Sequence, residues 1–274
     1  MRLSILDTGH RRRARVFMAV TGKLSGVTSP DIVKLLLYRP GFLTRPLLEL
    51  TAPAMRGESY WTAAEREYLA MSTARVHECP FCLVTHAELV RVAGGGDLDP
   101  RPELLAVQRF LEDVSRDADL DTAPLRALPP HAVSEALNVN LVWNIVNRLA
   151  NAFGFELLDG QLKTGTRALH RAGYRFPGFL LAAGPDDLRA SVFDQPARTS
   201  PELRRAAGAG AELPSPWGGY VTLVREASHR VRDDDVRALL AAGCGEDEIF
   251  EVTVAAAVGA ALRSFDAGHA ALTA

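Results

Sequence analysis

Two thiols and an imidazole fall within eight residues of this chain, at Cys79-Pro80-Phe81-Cys82 and His86, and a carboxylate, Glu67, stands twelve residues before the first thiol. A Cys-x2-Cys pair can close into a disulfide, hold a metal, or exchange electrons as a dithiol. The added histidine favours the last. Cys82 and His86 are four residues apart, so on a helix they share one face, one turn apart. His86 can then take the Cys82 proton or stabilise its thiolate. Pro80 suits the first position of a helix, which puts Cys79 at the N-cap of a helix predicted over residues 80–92. Unsatisfied N–H groups and the positive dipole end at that terminus lower a thiol pKa. Gly94-Gly95-Gly96 is the expected stop.

The element before this motif has its own signature. Thr62-Ala63-Ala64-Glu65 fits a capping box and starts a predicted helix over residues 63–75, with Tyr68, Leu69, Met71 and Val76 forming its apolar positions. Glu65 then has a capping role and Glu67 has none. Glu67 is free to hydrogen-bond His86 and tune its basicity. Two other readings compete. A buried Cys pair can be purely structural. Two thiolates, His86 and Glu67 or a water could also complete a zinc tetrahedron. Structural zinc sites usually draw on a second close ligand pair, and the remaining histidines, His10, His77, His131, His170, His229 and His269, show no metal spacing. His77 is expected at the surface, and Cys244, in the turn Gly243-Cys244-Gly245, is expected to be a bystander.

The pattern Glu67, Cys79, Cys82, His86, embedded in EREYLAMSTARVHECPFCLVTHAELV, resembles the alkylhydroperoxidase D-like group of the carboxymuconolactone decarboxylase superfamily. The resemblance implies an all-α helical bundle and a thiol-dependent peroxidase. Cys82 would be the peroxide-attacking thiol, Cys79 the resolving thiol, and Glu67 with His86 the proton relay. It further implies a small hydroperoxide substrate, no tightly bound cofactor, and regeneration by an external dithiol reductant protein, such as one carrying a lipoyl group. It favours a homo-oligomer. Phe81 departs from the pattern, because the best-studied members carry a histidine before the second cysteine. That departure favours the alternative of a dithiol–disulfide oxidoreductase without efficient peroxidase activity. A non-redox decarboxylase-like member is disfavoured by the Cys pair, and a helical interaction protein with vestigial cysteines is the remaining alternative.

Composition sets the outer bounds. The chain has 274 residues, is 47% hydrophobic and 23% charged, and carries a formal net charge of −2. That is ample for a packed core, and the balance suggests neither a nucleic-acid nor a membrane partner. Arg11-Arg12-Arg13 with Arg15 reads as a solvated face or an oligomer contact. No apolar run reaches the length of a bilayer span, the N-terminus lacks the pattern of a secretory signal, and three cysteines fit a reducing cytoplasm.

The elements needed to position the site are helical, since no extended period-two alternation occurs. An arm over residues 1–50 is expected to hold short helices broken by Pro40, Pro46 and Pro53. A first helical repeat over 51–165 carries the thiols, and a second, degenerate repeat over 166–274 does not. The repeat rests on residues 87–96 against 201–210, where Glu88, Leu89, Arg91, Ala93, Gly94 and Gly96 match Glu202, Leu203, Arg205, Ala207, Gly208 and Gly210. It rests also on Glu135 against Glu251, and on a long apolar helix ending each copy. This register places the counterparts of the thiol site near Phe193, Pro196 and Ser200, with Ser200-Pro201 as a helix start. A Gly/Pro-containing linker is expected over residues 173–216. Asn140, Asn144, Asn147 and Asn151 share one face of the first apolar helix. Either Asn144 and Asn147 line the site together with Arg148, or the stripe caps neighbouring helix ends or faces a subunit.

Overall fold

A computed structural model describes residues 1–182 and 184–273. It is helical throughout, with no strand among the described residues. The helices are α1 (Ile5–Thr8), α2 (Arg12–Ser25), α3 (Asp31–Tyr38), α4 (Arg45–Arg56), α5 (Ala63–Val76), α6 (Pro80–Gly94), α7 (Pro102–Arg116), α8 (Pro130–Phe153), α9 (Gln161–Ala172), α10 (Pro201–Ala209), α11 (Trp217–Glu226), α12 (Asp233–Ala241) and α13 (Glu246–Thr273). No helix among the described residues is long and apolar enough to cross a membrane.

Two long helices form the centre. α8 and α13 pack on one another, and both are buried along most of their length. A single apolar cluster runs from Leu3 to Leu262 through both halves of the chain. Glycines let α10 and α13 approach closely: a Cβ on Gly259 of α13 would collide with the backbone of Gly208 on α10. Burying sequence-distant helices in one cluster leaves the arm and the two halves as parts of one core.

Local chemistry sets the ends of the site-bearing helices. The Thr62 hydroxyl accepts from the Glu65 N–H at 3.2 Å, and the Glu65 carboxylate accepts from the Thr62 N–H at 2.8 Å, which is the expected capping box. Cys79 caps α6 through its sulfur, which accepts from the Cys82 N–H at 3.4 Å. Gly95 ends α6 in the left-handed conformation. Pro40 falls at a helix break as expected, just after α3 ends at Tyr38, but Pro46 and Pro53 break nothing. Pro46 lies in the first turn of α4 and Pro53 lies inside that helix without ending it. Pro40 opens a π-helical turn, Pro40–Thr44. A proline in the first turn loses only an N–H that has no intrahelical partner.

One hydrogen-bonded arrangement occurs twice. Arg66, on the first turn of α5, donates to the carbonyls of Gly57 at 2.9 Å and Ala54 at 3.4 Å, nine and twelve residues upstream. Arg204, on the first turn of α10, donates to the carbonyls of Gln195 and Val192, again nine and twelve residues upstream. Glu135 of α8 holds the Ser59 hydroxyl and the Tyr60 N–H ahead of α5. Glu251 of α13 holds the Arg198 and Thr199 N–H groups ahead of α10. These contacts liken the start of α10 to the start of α5, whereas the match of 201–210 to 87–96 likens α10 to the end of α6. Both matched segments run to a helix end, where Gly95 and Gly210 adopt the left-handed conformation. Phe193, Pro196 and Ser200, where the sequence match places the counterparts of Cys79, Cys82 and His86, lie ahead of α10. The expected boundary between residues 165 and 166 also falls inside α9, which packs against α6 and so accompanies the thiol-bearing helix.

Candidate functional site

Glu67 is the hub of the site. It is fully buried on α5, and its carboxylate takes three donors. His86 Nδ1 lies 2.7 Å from Oε2, Arg56 Nη2 donates to Oε1 at 2.6 Å, and the Tyr174 hydroxyl donates to the same carboxylate at 2.8 and 3.0 Å. Burial opposes the charged form of Glu67, but the hydrogen bond and attraction of His86 and the Arg56 cation outweigh it, and the carboxyl is held below the ordinary glutamate range. Tyr174 moves the other way: burial and the neighbouring Glu67 charge push its hydroxyl well above the usual tyrosine value. It therefore remains a donor.

This anchors one side of the His86 ring. A carboxylate accepts only, so Nδ1 is the donor in this bond. The other ring nitrogen is Nε2. That nitrogen is buried and has no hydrogen-bond partner among the described residues. The ring stands edge-on to Trp143 of α8, with centroids 3.9 Å apart. Trp143 is in turn held by its N–H to the Met55 sulfur at 3.2 Å. The result is an imidazole with one nitrogen anchored by Glu67, its ring packed against Trp143, and its other nitrogen without a partner among the described residues.

The two cysteines are free thiols that come within 3.1 Å of each other, and each is 1% exposed. Burial pushes the Cys82 thiol well above the usual cysteine value, and its hydrogen bond to Cys79 and the charge of Cys79 push it further. This corrects the expectation of a thiol made acidic by its helix terminus. Cys82 lies within the first turn of α6 but is closed off from the water that would otherwise stabilise its charge. No hydrogen bond joins His86 to Cys82 among the described residues, since Nδ1 is taken by Glu67 and Nε2 is unpartnered.

Three of the residues that complete the site carried no sequence signal: Arg56, Trp143 and Tyr174. They reach Glu67 and His86 from α4, α8 and the segment after α9. The sequence distance from Glu67 to Tyr174 is 107 residues, and nothing in local pattern connects them.

The asparagine stripe of α8 divides. Asn140 donates to the Thr73 and Ser115 hydroxyls at 3.1 and 2.9 Å, and Asn151 donates to the His77 carbonyl at 2.8 Å. Asn144 accepts from His77 Nε2 at 2.5 Å and from Arg148 Nη1 at 2.8 Å. These three tie together the C-terminal ends of α5 and α7, as the capping alternative requires. Asn147 differs, with both polar atoms of its side chain buried and unpartnered among the described residues. His77 is not on the surface as expected. It is 8% exposed, and burial and the Arg148 cation hold its pKa well below the usual histidine value. Arg148 itself is lowered to about 10, chiefly by burial. Cys244 stands apart from the pair, ahead of α13, with its pKa raised by burial and by Glu248.

No group of three or more His, Cys, Asp or Glu side chains among the described residues stands in metal-holding geometry. A comparison of the chain with protein-family models and with curated proteins finds no match.

Proposed function

We propose that the chain is a dithiol redox enzyme that reduces hydroperoxides through Cys79 and Cys82. One observation carries this reading: Glu67 anchors Nδ1 of His86 and leaves a buried, unpartnered Nε2 one helical turn from a close thiol pair. A structural cysteine pair has no need of an oriented base. In the proposed cycle His86 Nε2 accepts the Cys82 proton. The thiolate attacks the distal oxygen of ROOH, the O–O bond breaks, and the alkoxide leaves as ROH with the proton from His86. Cys82 is then a sulfenic acid. Cys79 attacks its sulfur, releases water and closes the Cys79–Cys82 disulfide. An external dithiol, such as a lipoyl group on a reductant protein, returns both thiols and is itself oxidised.

The fold side of the reading is an alkylhydroperoxidase D-like bundle of two degenerate repeats, acting as a homo-oligomer in the cytoplasm. The paired clasps Arg66/Arg204 and Glu135/Glu251 support a duplication. A second reading, dithiol–disulfide exchange without efficient peroxidase activity, is favoured by the burial that raises Cys82. A thiol that ionises poorly reacts slowly with peroxide.

The test is intact-mass analysis of alkylated protein before and after one equivalent of an organic hydroperoxide, with peptide mapping. Loss of two thiols at Cys79 and Cys82 with one ROH formed supports the peroxidase. Loss of the same two thiols only on treatment with a small disulfide supports the exchange reading. Thiols inert to both reagents would remove the redox proposal. Cys82→Ala abolishes peroxide consumption under this proposal, and Cys244→Ala leaves it unchanged.

A further inference from the structure

An apolar cavity of about 320 Å³ lies directly against the thiol-bearing helix. Phe17 of α2, Ile32 and Val33 of α3, Phe81 of α6, Leu169 of α9 and Phe176 form its principal apolar wall. Phe81 links it to the thiols. This residue lies between Cys79 and Cys82, and its ring packs edge-on against Phe155 with centroids 5.3 Å apart. The arm helices α2 and α3 therefore do more than cover the core, since they supply one side of a chamber whose other side is the first turns of α6 and the length of α9.

The lining chemistry narrows the ligand. The volume is at the low end for a small-molecule site, enough for one slim chain and too small for a nucleotide or a large ring system. Arg175 is the single charged residue among those lining it, it is exposed, and no Asp or Glu accompanies it. Scattered hydroxyls such as Thr21 and Thr85 give the wall some polar points. A single cation at the edge of an otherwise apolar chamber is complementary to an aliphatic tail with an anionic head.

We infer that this cavity binds an unbranched aliphatic carboxylate, with its chain between α2, α3 and α9 and its head toward Arg175. Where the dithiol reading above holds, on which this extension rests, the substrate class is the hydroperoxide of such an acid, with the chain directed at Phe81.

The test starts with binding, which does not depend on any redox activity. The full-length protein is titrated with cis-parinaric acid, a fluorescent fatty acid, and the probe is displaced with palmitate and with hexadecanol. Two variants accompany the wild type, each checked by circular dichroism and thermal melting. Ala168→Trp places a bulky side chain at an exposed position of the lining, and Arg175→Glu reverses the charge. Saturable binding is expected, weakened about tenfold or more by Ala168→Trp. Arg175→Glu is expected to weaken palmitate by about threefold and leave hexadecanol unchanged. No saturable binding, or binding indifferent to Ala168→Trp, overturns the site. Equal effects of Arg175→Glu on palmitate and hexadecanol overturn the carboxylate assignment. Kinetics then separate the two proposals. Ala168→Trp should slow turnover of a fatty-acid hydroperoxide and spare hydrogen peroxide, and slowing both alike overturns the extension to substrate. Retained palmitate binding in a protein whose thiols no peroxide oxidises defeats the dithiol reading and leaves the cavity standing.

Discussion

Replacing Glu67 with glutamine tests the core of the site with one change of atom type. The carboxylate holds three donors, from Arg56, Tyr174 and His86. A glutamine oxygen can keep Arg56 and Tyr174, but its amide would then point an N–H at the N–H of His86. The ring must respond by moving its proton to Nε2 so that Nδ1 can accept. One charge-assisted hydrogen bond is lost, each of which contributes about 1.5–3 kcal/mol, and Arg56 is left without its counter-charge. Breaking a buried pair from one side costs about 3–5 kcal/mol. The Arg56 side chain is 14% exposed, so the lower end applies, roughly 3 kcal/mol at neutral pH. Urea unfolding of the wild type, Glu67→Gln, Arg56→Met and the double variant measures this, and the double variant should recover at least about 1 kcal/mol through coupling. The pH dependence has a definite sign. Glu67 titrates below the ordinary glutamate value of about 4.3 when folded, so its contribution is complete above that value and fades as pH falls through the folded-state pKa. The gap between wild type and Glu67→Gln should therefore narrow in acid. Nitrogen NMR of the His86 ring should report Nδ1–H in the wild type and Nε2–H in the variant. A variant as stable as the wild type at pH 7, with the His86 tautomer unmoved, would refute the assignment of Glu67 as anchor.

Further outcomes follow from other contacts. Alkylation of Cys82 should rise only above the ordinary thiol range of about 8.5, because burial and Cys79 raise it; mapping that finds Cys82 modified first at neutral pH would contradict this. Thr62→Ala removes the cap of α5 and should cost about 1 kcal/mol in urea unfolding, with no loss beyond about 0.5 kcal/mol showing the cap to be idle. Gly259→Ala forces a Cβ into the backbone of Gly208. Overpacking of this kind costs about 1–3 kcal/mol, and an unchanged melting temperature would show that α10 and α13 can part freely.

The parts legible in sequence were those set by neighbours along the chain. The Thr62–Glu65 box, the Cys79 cap and the Gly95 stop depend on residues within one or two turns, and each was placed correctly. The Glu67–His86 contact was reachable because helix spacing presents Cys82 and His86 on one face and because capping accounts for Glu65 but not for Glu67. What escaped was set by packing. Arg56, Trp143 and Tyr174 meet Glu67 and His86 only once α4, α8 and the chain after α9 are assembled. The thiol pKa was misjudged because a helix terminus acidifies a thiol only where solvent or a cation supports the charge, and burial removes that support. The likeness of the Arg66 and Arg204 clasps is likewise invisible in sequence, because each depends on carbonyls nine and twelve residues away.

Tyr174 lies far downstream of the thiols and yet donates to the carboxylate that holds His86. During synthesis the Cys pair leaves the ribosome well before that hydroxyl exists. Until residue 174 has emerged and docked, Glu67 lacks one of its three donors and His86 lacks its final orientation. A chain interrupted before that point carries both cysteines without the completed Glu67 cluster. The order of synthesis thus makes that cluster a late-formed part of the packing, closed only when the segment after α9 docks.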